Sequence, residues 1–172
     1  MSFDVRLVEP DDVAELTEVI NGIIAKGGTT AFEQPFEPEA FAGQYLIGPQ
    51  VLCAFVAIDP VSRRPEGFQI LGDFGHPVPD DWGDIGTYVR VDGKQRGVGT
   101  ALFSATRERA ENLGLTAINA TIRADNDGGL AYYSKLGFQD YALDRSVPLA
   151  DGRPVDRVHK RYSLNAEIND DA

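Results

Sequence analysis

The sequence predicts a single α/β (α+β) domain built on a mixed, twisted sheet flanked by helices, and three observations carry that expectation. Short runs rich in Val, Ile, Phe and Tyr alternate along the chain with segments whose apolar residues recur every three to four positions, the periods of strand and helix. Two of the helical segments follow strand-like runs and are closed by a glycine, Gly114 and Gly137, the residue that tolerates the left-handed turn at a helix end. With 172 residues, 42% of them hydrophobic, the chain suits one core of ordinary size and no second domain.

Each element can be justified in order. Residues 5–8, Val-Arg-Leu-Val, read as a short first strand. Pro10-Asp11-Asp12 then opens a helix, because proline is at home in a first turn, and Leu16, Val19, Ile20, Ile23 and Ile24 follow at helical spacing until Gly27-Gly28 stops it. Residues 29–36 form a loop, and a second helix is expected over 38–45. Two strands, 51–58 and 67–74, flank the turn Asp59-Pro60-Val61-Ser62-Arg63-Arg64-Pro65 and should pair as a hairpin. A strand over 84–91 comes next, then a helix with Leu102, Ala105, Thr106, Arg109, Ala110 and Leu113 on one face. Residues 116–122 alternate as a strand. After a last helix between Asn126 and Gly137, strands over 140–146 and 157–164 close the domain through Ala150-Asp151-Gly152-Arg153-Pro154. Residues 1–164 form the expected domain, and 165–172 a polar tail.

The most informative stretch is Lys94-Gln95-Arg96-Gly97-Val98-Gly99-Thr100, a glycine-rich turn that opens a helix. Such a turn presents unpaired backbone N–H groups and the positive end of the helix dipole, which suits a diphosphate, and its glycines let the backbone come close to the anion. A dinucleotide fingerprint would want a third glycine where Leu102 stands. A phosphate loop of the NTPase type would want Ser or Thr after Gly93-Lys94, where Gln95 stands. What remains resembles the acetyl-CoA loop of the GCN5-related N-acetyltransferase (GNAT) family, which reads Arg or Gln, two residues, Gly, one residue, then Gly or Ala. Lys94 takes the first place, a departure that still supplies a phosphate-seeking charge, and Gly97 and Gly99 take the glycine places. Downstream, residues 126–138, Asn-Asp-Gly-Gly-Leu-Ala-Tyr-Tyr-Ser-Lys-Leu-Gly-Phe, are similar to the second signature of that family: Asn126 opens a helix, Tyr133 follows seven residues later, and Lys135-Leu136-Gly137-Phe138 ends it. The plain alternative for these positions is an N-cap, a C-terminal glycine and a core stripe.

The resemblance implies the acetyltransferase fold, whose fourth and fifth strands run parallel and splay apart to admit the pantetheine arm. It implies acetyl-CoA as cosubstrate, held by Lys94, Gln95, Arg96, Gly97, Val98, Gly99, Thr100 and Asn126, with main-chain bonds from Val89 and Val91 in the manner of an added strand. Acetyl transfer from a thioester to an amine also needs a base, since an ammonium has no lone pair, and an acid for the departing thiolate. Tyr133 occupies the acid position of the family. Asp84, five residues before Val89, stands where the phosphinothricin-type members carry a Glu, and is the candidate base, with a surface carboxylate in Asp80-Asp81-Trp82-Gly83-Asp84 as the alternative. Glu33, His76 and Tyr88 are reserves. Strand alternation puts Asp84, Gly86, Tyr88 and Arg90 on one face and Ile85, Thr87, Val89 and Val91 on the other.

Residues 28–33 and 151–157 also echo the phosphinothricin acetyltransferase subgroup, which implies an amino-acid-like amine as acceptor, lined by Thr30, Phe32, Phe74 and Tyr88, and a homodimer. Phe32, Phe36, Phe74 and Trp82 could equally be packing aromatics. A non-catalytic acyl-CoA sensor and a protein N-acetyltransferase are the rival readings. The net charge of −11 argues against nucleic-acid or anionic membrane partners, which call for excess Lys and Arg, and no apolar window approaches a membrane span. With only His76, His159 and the lone Cys53, no metal cluster is expected. Cys53 lies in the apolar run Val51-Leu52-Cys53-Ala54-Phe55-Val56 and reads as an inert buried thiol, and without a leader-like start a reducing cytoplasm is the expected compartment.

Overall fold

In a computed structural model, which describes residues 2–93 and 96–164, the chain forms one seven-stranded mixed sheet of order β1-β2-β3-β4-β5-β7-β6 with helices on both faces. The strands are β1 (Asp4–Leu7), β2 (Val51–Ile58), β3 (Pro65–Gly72), β4 (Trp82–Val89), β5 (Ala117–Arg123), β6 (Gln139–Pro148) and β7 (Pro154–Ser163). The helices are α1 (Val13–Lys26), the short α2 (Pro38–Phe41), α3 (Val98–Asn112) and α4 (Asp127–Leu136). Every expected element is present, with ends displaced by a few residues. Pro10–Asp12 is a separate 3-10 turn ahead of α1, and the expected second helix is one α-turn that loosens into a π-turn over Ala42–Leu46. The expected tail lies outside the described residues.

The displacement that matters is in β4, which begins at Trp82 and ends at Val89. The Arg90 N–H makes one last bond in register with β3, to the Glu66 carbonyl at 2.9 Å, and Gly93 N–H then closes a turn onto the Arg90 carbonyl at 3.1 Å. Val91 therefore sits in a turn rather than in the strand assigned to it from sequence. The Asp92-Gly93 pair explains the early stop, since both residues favour turns.

Each face of the sheet carries a core. Leu16, Val19, Ile20 and Ile23 of α1, with Phe41 and Leu46, cover Ala54, Val56, Ile58, Phe68 and Ile70 on one face. Phe103 and Ala110 of α3, with Tyr133 of α4 and Phe138, cover Leu71, Ile85, Ile118 and Ala120 on the other. β3 is buried along its whole length between them. Strand alternation thus sends odd and even residues of β3 and β4 to different faces, so Asp84 and Tyr88 point to the α1 side and Ile85 and Thr87 to the α3–α4 side.

Cys53 belongs to the second core at 6% exposure, and burial pushes its thiol up to about 11. The thiolate is the reactive species, so native protein at neutral pH is expected to resist iodoacetamide and to become alkylated only in denaturant. Stoichiometric labelling of folded protein, read by mass spectrometry, would overturn this placement.

Among the described residues, β4 and β5 are the only parallel neighbours. They pair over just Trp82↔Ala117, Gly83↔Ile118, Asp84↔Asn119 and Ile85↔Ala120. Beyond that point β4 stays with β3 as far as Val89, while β5 stays with β7 as far as Arg123. The two strands part, and the sheet has a gap at the level of residues 86–89.

Candidate active site

A cavity of about 920 Å³ fills this gap and reaches both faces of the sheet. Its α3 end is made by Gly97, Val98, Gly99 and Thr100. Gly97 is the N-cap of α3 with φ 88°, a left-handed conformation that glycine adopts without strain, and no side chain among the described residues caps the helix. The helical ladder starts with Ala101 N–H donating to the Gly97 carbonyl, which leaves the amides of Val98, Gly99 and Thr100 ahead of it, pointing out of the helix end. The Val98 side chain is buried against Ala57 and Leu102, so only its backbone faces outward. Arg96 is exposed. Lys94 and Gln95 lie outside the described residues. Val89 and Val91 line the same end of the cavity, Val89 from the free edge of β4 and Val91 from the turn. This arrangement fits a diphosphate followed by a thin amide-bearing arm: amides without partners among the described residues, a glycine-lined entry and a strand edge that lacks a neighbour there.

At the middle of the cavity stand Tyr132 and Tyr133, on the side of α4 that faces the gap. Asn126 holds the start of that helix by accepting the Gly129 N–H at 3.0 Å, and its amide donates to the Thr29 carbonyl at 3.1 Å. Its side chain therefore also ties α4 to the loop after α1. Tyr133 is 6% exposed, its hydroxyl is 2.8 Å from Thr87 Oγ1, and burial pushes its phenol far above the usual tyrosine range.

The α1 side of the cavity carries an acidic and aromatic pocket. Asp84 is 2% exposed, and its Oδ1 accepts from Asn119 Nδ2 at 2.7 Å. Its Oδ2 makes no hydrogen bond of good geometry, yet His76 Nδ1 stands 3.1 Å away. That contact is a close ion pair. The Asp84 carboxylate, helped by Asp144 and opposed by burial, raises the affinity of the His76 imidazole for its proton above the ordinary histidine value. Asn119 is fixed in turn by Tyr141, whose hydroxyl donates to Asn119 Oδ1 at 2.6 Å. His159 completes the cluster, bonded to Thr121 Oγ1 and Asp144 Oδ2, both at 2.9 Å.

The residues expected on the acceptor side lie along the cavity wall. Thr30, Phe32, Phe74 and Tyr88 all face the cavity, and the aromatics pack on one another through Tyr45, with Phe32 5.0 Å and Phe74 5.5 Å from that ring. Tyr88 stacks on Phe32, and burial raises its phenol well above the usual range, which makes it a poor base. Glu33, another reserve, is engaged elsewhere: both its oxygens accept the Ala150 N–H, at 2.9 and 3.1 Å. Trp82 and Phe36 are packing residues, against Tyr141 and Arg161 in one case and Phe32 and Phe41 in the other.

Several lining groups escaped the sequence. Arg123, Asp144 and Arg157 come together only because β5, β6 and β7 are neighbours, with Arg123↔Arg157 and Asp144↔Arg157 in register. Gln69 and Asn119 were visible in principle, as lone amides inside apolar strands, where a buried polar group implies a partner.

Comparison with known proteins agrees with this geometry. The profile of the acetyltransferase (GNAT) family matches residues 31–138. YwnH of Bacillus subtilis (strain 168), provisionally named a phosphinothricin acetyltransferase, is 26% identical over 155 residues, covering 88% of this chain and 93% of its own. The fold is shared with a phosphinothricin acetyltransferase from Sinorhizobium meliloti solved in complex with acetyl-CoA, at a TM-score of 0.80 and 21% identity over 95% of this chain and 89% of that one. It is shared equally with yncA from Salmonella typhimurium, solved with its cofactor acetyl-CoA, at a TM-score of 0.79 and 19% identity over 95% of both chains. With its family profile spanning both glycine-rich motifs and the gap between β4 and β5, the chain belongs to the acetyltransferase (GNAT) family and is an acetyl-CoA-dependent acyltransferase.

Proposed function

We propose that the protein transfers the acetyl group of acetyl-CoA to the primary amine of a small, amino-acid-like molecule by direct attack, with Asp84 as base and Tyr133 as acid. The observation that carries this reading is the continuity of one cavity from the α3 amides, past Tyr133, to Asp84. The α3 amides and the free edge of β4 would hold the diphosphate and the pantetheine arm, and the thioester would supply an acyl group on a leaving thiolate.

The chemistry balances with the groups present. The amine lone pair forms the new C–N bond, the C–S bond breaks, the amine proton goes to Asp84, and the Tyr133 proton goes to the sulfur. Both side chains then recover their starting states by exchange with water, giving an acetamide and free CoA. Preference for an amino-acid-like acceptor rests on the mixed lining of the pocket, with Asp84 and Asp144 to meet an ammonium and Arg123 and Arg157 to meet a carboxylate. Arg157 makes a side-chain bond only to the Val155 carbonyl at 3.1 Å among the described residues, so its charge is open to a ligand.

Thiol release tests the function. Protein mixed with acetyl-CoA and a panel of amino acids, phosphinothricin and methionine sulfoximine is expected to liberate CoA with at least one amine. No turnover across the panel, with CoA still bound tightly, would instead favour a sensor. The working form proposed is a homodimer in a reducing cytoplasm. The outer strand β6, exposed at nearly every residue, is an edge that a second chain would cover, and sedimentation equilibrium checks the mass.

A further inference from the structure

A chain of five residues decides where the Tyr133 proton points. Tyr132 Oη is 2.7 Å from the Gly99 carbonyl oxygen, which can only accept, so the single Tyr132 hydrogen is committed there. Gln69 is fully buried and reaches the same Tyr132 oxygen at 3.3 Å. Because Tyr132 has no second hydrogen to give, the Gln69 group on that side must be its donating NH2. This orientation leaves Gln69 Oε1 buried without a partner, an arrangement the chain tolerates only because the other rotation would oppose two acceptors. The same Gln69 Nε2 donates to Thr87 Oγ1 at 2.9 Å. Thr87 in turn is 2.8 Å from Tyr133 Oη; the Tyr132 oxygen also lies near Thr87, but it already receives the Gln69 NH2 and makes no well-aligned bond to Thr87 among the described residues, which leaves the Tyr133 oxygen for the Thr87 hydrogen.

We infer that Gln69, Thr87 and Tyr132 are positioning residues that make Thr87 donate to the Tyr133 oxygen, so that the Tyr133 hydrogen stays free and faces the cleft. Were the sequence of donors reversed, Tyr133 would spend its hydrogen on Thr87 and have none for a leaving thiolate. The same bond would steady the phenolate left after transfer, since a hydroxyl donating to the charged form favours it. The Gly99 carbonyl belongs to the first turn of α3, so the polarity of the whole chain is set from the helix end proposed to bind the diphosphate. The inference rests on Tyr133 being the acid.

The test is a set of variants read by steady-state kinetics, each first shown to be folded by circular dichroism and thermal unfolding. Thr87→Val keeps the shape and removes the hydroxyl. It is expected to lower kcat roughly 10- to 100-fold with the KM for acetyl-CoA unchanged, while Thr87→Ser stays near wild type. Tyr132→Phe frees Gln69 to rotate and is expected to lower kcat in the same direction. Because both act through one proton, the double variant should be no slower than Thr87→Val alone, where independent structural losses would multiply. In a Tyr133→Phe background, Thr87→Val should have no further effect. If Tyr133→Phe disables the enzyme while Thr87→Val runs at the wild-type rate, or if the two losses multiply, the positioning role is wrong. If Tyr133→Phe itself retains full kcat, the acid assignment fails, which is a separate outcome.

Discussion

Gly99→Asp is expected to weaken acetyl-CoA binding by at least ~100-fold, and to do so for two separable reasons. The first is space. A Cβ at position 99 would sit 2.6 Å from Tyr132 Cε2 and 3.0 Å from Cζ and Oη of the same ring, and that ring is tethered by its own hydroxyl to the Gly99 carbonyl. The ring can yield only by breaking this bond and turning toward the cleft, which narrows the passage proposed for the pantetheine arm. The second reason is charge. A carboxylate in the first turn of α3 would lie where a diphosphate is to be held, and like charges about 5 Å apart at an effective dielectric constant near 20 repel by about 3 kcal/mol, or about two powers of ten in affinity. Gly99→Ala carries the steric part alone, so its loss should fall between wild type and Asp. Gly99 is helical without positive φ, so neither substitution strains the backbone, and thermal unfolding should show both variants folded. Calorimetric titration of CoA reads the outcome. A folded Gly99→Asp protein that binds CoA as wild type does would move the cofactor site away from α3.

How much of this was legible beforehand follows from how local each signal is. The helix ends at Gly97, Asn126 and Gly137 depend on residues within one turn of each other, and all three take the conformations their residue types favour, with φ of 88° and 108° at the two glycines and a side-chain cap at Asn126. The gap between β4 and β5 was an expectation from family likeness alone, since nothing in either strand by itself says where the pairing ends. β4 ends two residues before the expected Val91 because Val89 and Val91 look alike as strand residues, while the turn that Gly93 closes onto the Arg90 carbonyl shows only in the folded chain. His76 shows the limit most plainly. In the loop Gly75-His76-Pro77 an exposed histidine is the ordinary expectation, and its side chain is indeed 40% exposed. Its significance comes from a carboxylate eight residues away that the hairpin between β3 and β4 folds underneath it. Tyr132 was passed over because the motif singles out its neighbour, yet the two rings are 4.8 Å apart and both face the cleft.

Asp84→Asn should lower kcat roughly 100-fold or more and erase the acid limb that Asp84 and His76 give to the pH profile of kcat/KM. The substitution keeps size and shape, and an amide at position 84 can still pair with Asn119, so the fold is expected to survive the loss of a buried charge. The sign of the accompanying stability change is fixed by His76. Asp84 raises the proton affinity of that imidazole in the folded protein above its ordinary value near 6.5, so the pair contributes stability that is fully present below the unfolded value and fades as pH rises through the folded one. Asn at position 84 therefore costs stability at about pH 5.5, below the ordinary histidine value, and costs progressively less as pH rises through the folded titration of His76. Proton NMR gives an independent reading, since His76 and His159 are the only histidines: the His76 titration should move to lower pH in the variant. An acid limb that persists unmoved in Asp84→Asn, with His76 titrating at its old position, would mean that the proton of the attacking amine leaves by another group and that the acidic pocket serves only to attract the acceptor.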